Sequence, residues 1–519
     1  MARTAGLISL GNIASRVMGL AVITIKALFF GAGGAVDAFN VASSIPTMLY
    51  DLLIGGMINS SLVPVFIEYV QDRREELWKL VSILLSLTVV VLAVIVLIAE
   101  LFAPTIVALI SGGSSPDVQA LATRLFRIMA PVILLISLSG VMTAVLLALK
   151  RFKYPAFTGF VLNAGVVIAA LVLHGLFGIG ITAMAVGLLL GGLFQVALQF
   201  PGLRDARLRF HFDLSHPALR RLLILYAPNA LALLADVLIS RPVSFNLASH
   251  TGEGSIAVMD YATRLREMPQ GLVAVAISFA ALPLLAANAA HQRATGDHLP
   301  FRETLARGLR LALTLIIPAT VGLFILARPV VALAYERGLF VAHDTELVTR
   351  ALQLYLIGLP FAAIDLILIF SFYARQDTLT PALIGVVTIA IYLLQSIILL
   401  PTLGVFSLIL ADSCKQILHA AICAIILGRR IGGVGNQRVW RTLGLALIAA
   451  AAMGGATYGT LALVEPALGP NGLLARALTV IVPTAAGGAI YLGLATLFRV
   501  EDISLLWAAL RRRWGANSL

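Results

Sequence analysis

Apolar runs of span length follow one another along nearly the whole chain, separated by short polar intervals. They fall near residues 8–30, 38–69, 78–110, 119–148, 155–174, 181–201, 219–248, 255–286, 305–334, 347–373, 380–400, 404–427, 440–463 and 474–497, about fourteen in all. Each is long enough to cross a hydrocarbon core of ~30 Å as a helix rising ~1.5 Å per residue. No interval is long or polar enough for a separate soluble domain. The pattern predicts an all-α polytopic membrane protein.

The polar positions give the runs a direction. One set of loops receives Arg73, Arg74 and Lys79; Lys150, Arg151 and Lys153; Arg204, Arg207 and Arg209; Arg293 and Arg302; Arg375; Arg429, Arg430, Arg438 and Arg441; and Arg511, Arg512 and Arg513. The opposite loops carry no Lys or Arg except Arg337. Basic residues mark the cytoplasmic side, so the alternation predicts both termini in the cytoplasm. The same distribution changes how the net charge of +12 reads: it orients spans and does not indicate a nucleic-acid partner. With 60% hydrophobic and 12% charged residues, an ordinary soluble domain is excluded.

A weak internal repeat divides the spans. Pro131 and Pro155 bracket one span and Pro360 and Pro381 another, while Leu62-Val-Pro64 matches Ala281-Leu-Pro283 about 219 residues later. The expected organisation is a six-helix lobe over 1–201, a basic cytoplasmic linker over 202–218, a second six-helix lobe over 219–430, and two additional helices with a basic tail over 431–519. Two pseudo-repeated lobes in parallel orientation predict a transporter with a central cavity that works by alternating access.

Charges inside spans mark function by default, because each costs at least ~2.5–3.5 kcal/mol at the centre of a bilayer. Arg16 lies too deep in the first span to reach an interface, whereas Lys26 is placed to reach the far one. Asp51 is a candidate to neutralise one of them. Asp37 reads as a first-turn acid complementing the dipole of the second span. On the eighth span Asp260, Arg264 and Glu267 share one face; they form either a self-neutralising structural group or an oriented guanidinium for an anionic head group. Arg241 and Asp236 occupy the seventh span, and Asp236 is a candidate for Na⁺ or H⁺ coupling or for pairing with a base. Asp365, Asp412 and Lys415 read as contacts between spans. Cys414 and Cys423 are ~13 Å apart along one helix, too far for a disulfide. The eight histidines show no metal-ligand spacing; His174, His250 and His343 are expected in solvated outer loops. No metal site is predicted, and no P-loop, G-x-S-x-G or H-E-x-x-H motif is present, so no enzyme is expected.

Several segments together resemble a known family. Ser15-Arg16-Val-Met-Gly19, Phe30-Gly-Ala-Gly33 and Val36-Asp37-Ala-Phe are similar to the opening of the MurJ/MviN lipid II flippases, within the multidrug/oligosaccharidyl-lipid/polysaccharide exporter superfamily. So are Tyr261-Ala-Thr-Arg264-Leu-Arg-Glu267-Met-Pro269-Gln-Gly, Tyr335-Glu-Arg-Gly338-Leu-Phe-Val-Ala-His-Asp344-Thr and Phe372-Tyr-Ala-Arg375-Gln-Asp377-Thr-Leu-Thr-Pro381. The resemblance spans nearly the whole chain. It implies transfer of undecaprenyl-pyrophosphate-linked peptidoglycan precursor from inner to outer leaflet of the bacterial cytoplasmic membrane. It also implies a cationic cavity, a lipid-tail groove on the last two helices, and work beside the cell-wall synthesis machinery. Arg16, Lys26, Arg264, Glu267, Asp37 and Arg241 are the expected substrate-binding residues and Asp236 the expected coupling residue. No cofactor is expected beyond coupling to Na⁺, H⁺ or the membrane potential. Two positions depart from the family pattern: Val22 stands where a second arginine is usual, and Tyr50-Asp51 where an Arg-Arg pair is usual. Either Lys26, Arg241 or Arg266 compensates, or the glycan differs. The alternatives weighed are a flippase for another polyprenyl-linked oligosaccharide, a cation-coupled multidrug antiporter, and a non-transporting cell-wall scaffold.

Overall fold

In a computed structural model that describes residues 2–72, 74–434, 438–469 and 472–498, nearly every described residue is helical and none forms a strand. Arg73 and the tail with Arg511, Arg512 and Arg513 lie outside the described residues. The described residues form two compact units, one within residues 1–257 with 337–340 and one within residues 258–336 with 341–519.

The first unit contains α1 (Ala2–Phe30), α2 (Gly34–Tyr50), α3 (Val63–Asp72), α4 (Arg74–Leu101), α5 (Ala103–Ile110), α6 (Pro116–Met129), α7 (Val132–Ala148), α8 (Thr158–Ala169), α9 (Thr182–Gln199), α10 (Pro217–Ala235) and α11 (Arg241–Ser249). Residues 202–249, expected as linker and seventh span, thus pack in this unit. Its core joins Leu62 and Phe66 of the second span to Leu77 and Leu80 of α4, Val145 of α7 and Leu222 of α10. Helices α8 and α9 meet through Gly165, Gly187 and Gly191, where a Cβ on Gly165 would lie 2.5 Å from Gly191 Cα. Small residues let two backbones approach this closely where lipid offers no hydrophobic drive. Gly31 ends α1 at φ +65°, a conformation that excludes most side chains.

The second unit contains α12 (Ser255–Pro269) beyond its first turn, α13 (Ala276–Thr295), α14 (Leu299–Ile325), α15 (Ala327–Tyr335), α16 (Ala342–Ala374), α17 (Leu379–Leu403), α18 (Val405–Ile431), α19 (Val439–Leu468) and α20 (Leu473–Leu497). An apolar cavity of about 370 Å³ opens among α14, α15, α19 and α20, lined by Pro318, Leu323, Val330, Met453 and Leu492.

Among the described residues, 12 helices are long and apolar enough to span a membrane, or up to 13 if the bent pair Pro116–Met129 and Val132–Ala148 is one span. The expected count of fourteen is therefore not confirmed. The stretch 219–248 is not among these candidates; it is helical from Pro217 to Ser249, with a π turn at Asp236–Ser240. Two expected spans are also shorter than their apolar runs: 78–110 breaks at Phe102 before Pro104, and 305–334 breaks at Leu326 before Pro329. Both break residues take nearly the same conformation, φ −97°, ψ 12° and φ −87°, ψ 11°. The second and eighth spans likewise each contain a π turn, Asp51–Gly55 and Gln270–Val275, whose starts are separated by the same 219 positions that relate Pro64 to Pro283. The repeat read from prolines is repeated in backbone geometry.

Candidate functional site

In the first unit, three charged residues meet where two helices are interrupted. Asp51 opens the π turn of the second span and Asp236 that of the seventh. Arg241, the first residue after the second of these, bridges them: Nε donates to Asp236 Oδ2 at 2.9 Å and Nη1 to Asp51 Oδ2 at 3.4 Å. The Tyr226 hydroxyl donates to the Leu52 carbonyl within the same π turn. Asp236 is therefore paired with a base and not isolated, and Asp51 serves Arg241 in place of Arg16 or Lys26. All three side chains remain about two-fifths exposed.

Lys26 is buried and donates to Asn40 Oδ1 at 2.9 Å, with its ammonium 5.9 Å from the Phe39 ring centre. It is held by the second span, which corrects the expectation that it reaches the far interface. Asp37 is in the first turn of α2 as expected, but its carboxylate is buried and accepts the Gly254 amide at 2.6 Å and the Ala257 amide at 2.7 Å. It thereby satisfies amides at the start of α12 that have no partner within that helix. Arg16 is exposed on α1 and has no ion-pair partner among the described residues.

In the second unit the spacing on α12 holds: Arg264 Nε lies 3.3 Å from Asp260 Oδ1 and Nη1 3.5 Å from Glu267 Oε2. Arg264 is half exposed, so its guanidinium is oriented by two acids yet open on another edge. Arg266, two residues on, points elsewhere. Its Nη1 lies 2.6 Å from Asp412, which also holds Lys415 Nζ at 2.7 Å, and its guanidinium stacks 4.8 Å from Tyr355. This buried group commits Arg266 to holding α12 on α18, which weighs against its replacing a missing substrate arginine.

The structure corrects the histidine reading at His174 and brings together one cluster that spacing does not show. His174 is packed against Phe29 and Phe30, with ring centres 4.9 and 4.8 Å away, and is not a solvated loop residue. His419, Asp365 and Cys423 bring one potential ligand atom each within 4.8 Å of one another. Sequence spacing shows His419 and Cys423 one helical turn apart but cannot show Asp365 on α16. The imidazole Nδ1 is 2.6 Å from Asp365 Oδ1, and Nε2 is 3.3 Å from the Pro381 carbonyl. Two ring nitrogens facing two acceptors are satisfied by protons; a metal bound to both Nδ1 and Oδ1 at ~2.0–2.2 Å would need them farther apart. Asn40, Tyr226 and Tyr355 also contribute, and their only signal in the sequence is a polar group within an apolar span.

The family model for the lipid II flippase MurJ matches residues 26–479. The chain belongs to the MurJ family. It is 32% identical to the lipid II flippase MurJ of Burkholderia cenocepacia over 429 residues, 81% of this chain and 82% of that one. The probable lipid II flippase MurJ of Vibrio cholerae is 29% identical and aligns over 96% of each chain. Among solved structures, an inward closed lipid II flippase MurJ superimposes with TM-score 0.79 at 24% identity, covering 96% of this chain and 99% of that one. An inward-facing multidrug resistance MATE family transporter of the MOP superfamily follows at TM-score 0.68 and 14% identity, covering 80% of this chain and 94% of that one. These likenesses show the fold. The chain is a multi-pass membrane protein.

Proposed function

We propose that this protein is a lipid II flippase, moving undecaprenyl-pyrophosphate-linked disaccharide-pentapeptide from the inner to the outer leaflet of the bacterial cytoplasmic membrane. The observation that carries the reading is the match of the MurJ family model to residues 26–479. The chemistry of the charged residues supports it. A pyrophosphate and sugar cannot enter hydrocarbon unaided, whereas an arginine open on one edge offers a bidentate donor for phosphate oxygens. Arg16 and Arg264 are in such a state, the first without an ion pair among the described residues and the second exposed beside its two acids. The apolar cavity beside α19 and α20 suits the polyprenyl tail. Transport proceeds by alternating access with both termini in the cytoplasm, powered by an ion gradient or the membrane potential, and needs no chemical step on the substrate.

The test is rescue of a bacterium depleted of its own lipid II flippase, comparing wild type with Arg16→Ala, Lys26→Ala and Arg264→Ala at matched membrane expression. Rescue by wild type and failure of both arginine variants is the expected result. Failure of well-expressed wild type, in several hosts, argues against lipid II. Rescue by every variant removes these residues from the substrate path. Loss with Lys26→Ala is expected to be a folding effect, visible as reduced expression, because Lys26 is buried on Asn40.

A further inference from the structure

The segment between α9 and α10 has an organisation that flipping does not require. From Arg207 the chain reads Arg-Leu-Arg-Phe-His-Phe-Asp-Leu-Ser, alternating polar and apolar, and residues 206–213 are neither helix nor strand. Its backbone is nevertheless held at three points. At its entrance Arg151 donates to both carboxylate oxygens of Asp205, at 2.5 and 2.8 Å, and to the Gly202 carbonyl at 2.6 Å. In its middle the Arg209 amide donates to Ser82 Oγ at 3.1 Å and the His211 amide to Ser86 Oγ at 3.0 Å. At its exit Asp213 Oδ1 accepts from the Ser215 amide and hydroxyl at 2.9 and 2.6 Å, and His216 caps α10. The Ser215 bonds hold the Asp213 carboxyl below the usual range.

The middle contacts depend on a coincidence of two repeats. Ser82 and Ser86 are one turn apart on α4, about 6 Å along its axis. Alternate residues of an extended chain recur at about 6.6 Å. An extended strap therefore lies along α4 in register, with successive inward amides meeting successive serines. Both serines are buried. Ser86 lies about 10 Å along α4 from the exposed Lys79, the depth at which head groups give way to acyl chains. An amide there lacks bulk water as an acceptor, which is what the hydroxyls replace.

None of the apolar side chains of the strap is buried in the protein. Leu208, Phe210, Phe212 and Leu214 are all exposed, Phe210 by 74%. Arg204, Arg207 and Arg209 beside them have no ion-pair partner among the described residues. We propose that residues 204–216 are an interfacial membrane anchor: the strap buries its alternate Leu and Phe side chains at the acyl boundary of the leaflet around α4 and sets its arginines against anionic lipid phosphates. A lipid surface is the occupant because α4 is itself a candidate span and the unpaired charges of the strap, Arg204, Arg207 and Arg209 against Asp213, are cationic on balance, the sign that an anionic leaflet attracts.

The experiment places a nitroxide at position 210, 212 or 211, one at a time, through Phe210→Cys, Phe212→Cys or His211→Cys. The full-length chain also carries Cys414→Ala and Cys423→Ala and is reconstituted in phosphatidylcholine vesicles with or without phosphatidylglycerol. Collisions with oxygen, which enters the acyl region, are compared with those of a water-soluble nickel chelate. The expected result is an oxygen-to-nickel ratio severalfold higher at 210 and 212 than at 211. Phosphatidylglycerol should raise it, and Arg204→Gln/Arg207→Gln/Arg209→Gln should abolish that rise. Equal ratios at all three positions would mean that the strap does not sort its apolar side chains to the acyl side, and shielding of 210 and 212 from both reagents would mean that protein covers them; either overturns the proposal. Should the cysteine-free chain fail to fold, amide exchange at Arg209 and His211 in the wild type decides. Exchange is expected to be slower in vesicles with phosphatidylglycerol than without, and no difference counts against the anchor.

Discussion

Asp412→Asn should expose how much of the second unit depends on one buried carboxylate. Asp412 accepts from Arg266 at 2.6 Å and Lys415 at 2.7 Å, and all three side chains are no more than one-fifth exposed. Each contact carries a gross attraction of about 6 kcal/mol at an effective dielectric of ~20, most of it offset by the desolvation of the three charges. Neutralising the carboxylate leaves two cations in the same confined space, and breaking a buried ion pair in this way costs about 3–5 kcal/mol. A unit of roughly this size loses ~2 °C of melting temperature per kcal/mol. The purified protein in detergent is therefore expected to melt about 6–10 °C lower, followed by size-exclusion with fluorescence after a temperature series. Adding Lys415→Met should recover more than half of the loss, because Arg266 keeps its stacking on Tyr355 and no longer faces a second cation. A single variant that melts within about 1 °C of wild type, or a double variant no better than the single, would refute the reasoning.

Arg264→Gln should abolish lipid II translocation in reconstituted vesicles while the melting temperature stays within about 2 °C, since half-exposed ion pairs contribute ~0–1 kcal/mol; Arg264→Lys, with charge but no planar fork, should fall between. Gly187→Val is expected to separate α8 from α9, because a Cβ there would sit 2.8 Å from both the Ala169 Cβ and the Val166 Cα; loss of monodisperse protein at unchanged synthesis is the readout. Asp377, in the turn before α17, is desolvated, which raises its pKa, but bonds from the Thr380 amide and hydroxyl and from Arg430 outweigh this and hold it below the usual range. Its contribution is then full above an unfolded pKa of ~3.9 and disappears as pH falls through the lower folded value, so Asp377→Asn should destabilise equally at neutral pH and at about pH 5, with the difference closing only in stronger acid.

The apolar pattern was enough to show the class and the repeat, because lipid demands continuous apolar helices and prolines mark where these bend. It overran real helix ends at Phe102 and Leu326, since an apolar residue after a break looks the same as one before it. Local spacing also placed Asp260, Arg264 and Glu267 together, and Asp412 with Lys415, because helical neighbours three and four apart must meet. Partners from distant spans were not legible: nothing near Arg241 pointed to Asp51, nothing near Asp37 to the amides of Gly254 and Ala257, and nothing near His419 to Asp365. Those meetings depend on helix packing, which residue types inside uniformly apolar runs do not encode locally.

The π turns at Asp51–Gly55 and Gln270–Val275 carry a consequence for motion. Each holds one residue more than an α turn, a surplus that can travel along a helix by exchanging one hydrogen bond at a time. Every residue it passes is turned by about 100° around the axis. Asp51 and Leu52 sit on one such surplus, and Gln270, three residues beyond Glu267, on the other. A flippase with this backbone can swing selected side chains from one face of a span to another while the span itself stays continuous, and the same freedom is present in both halves of the repeat.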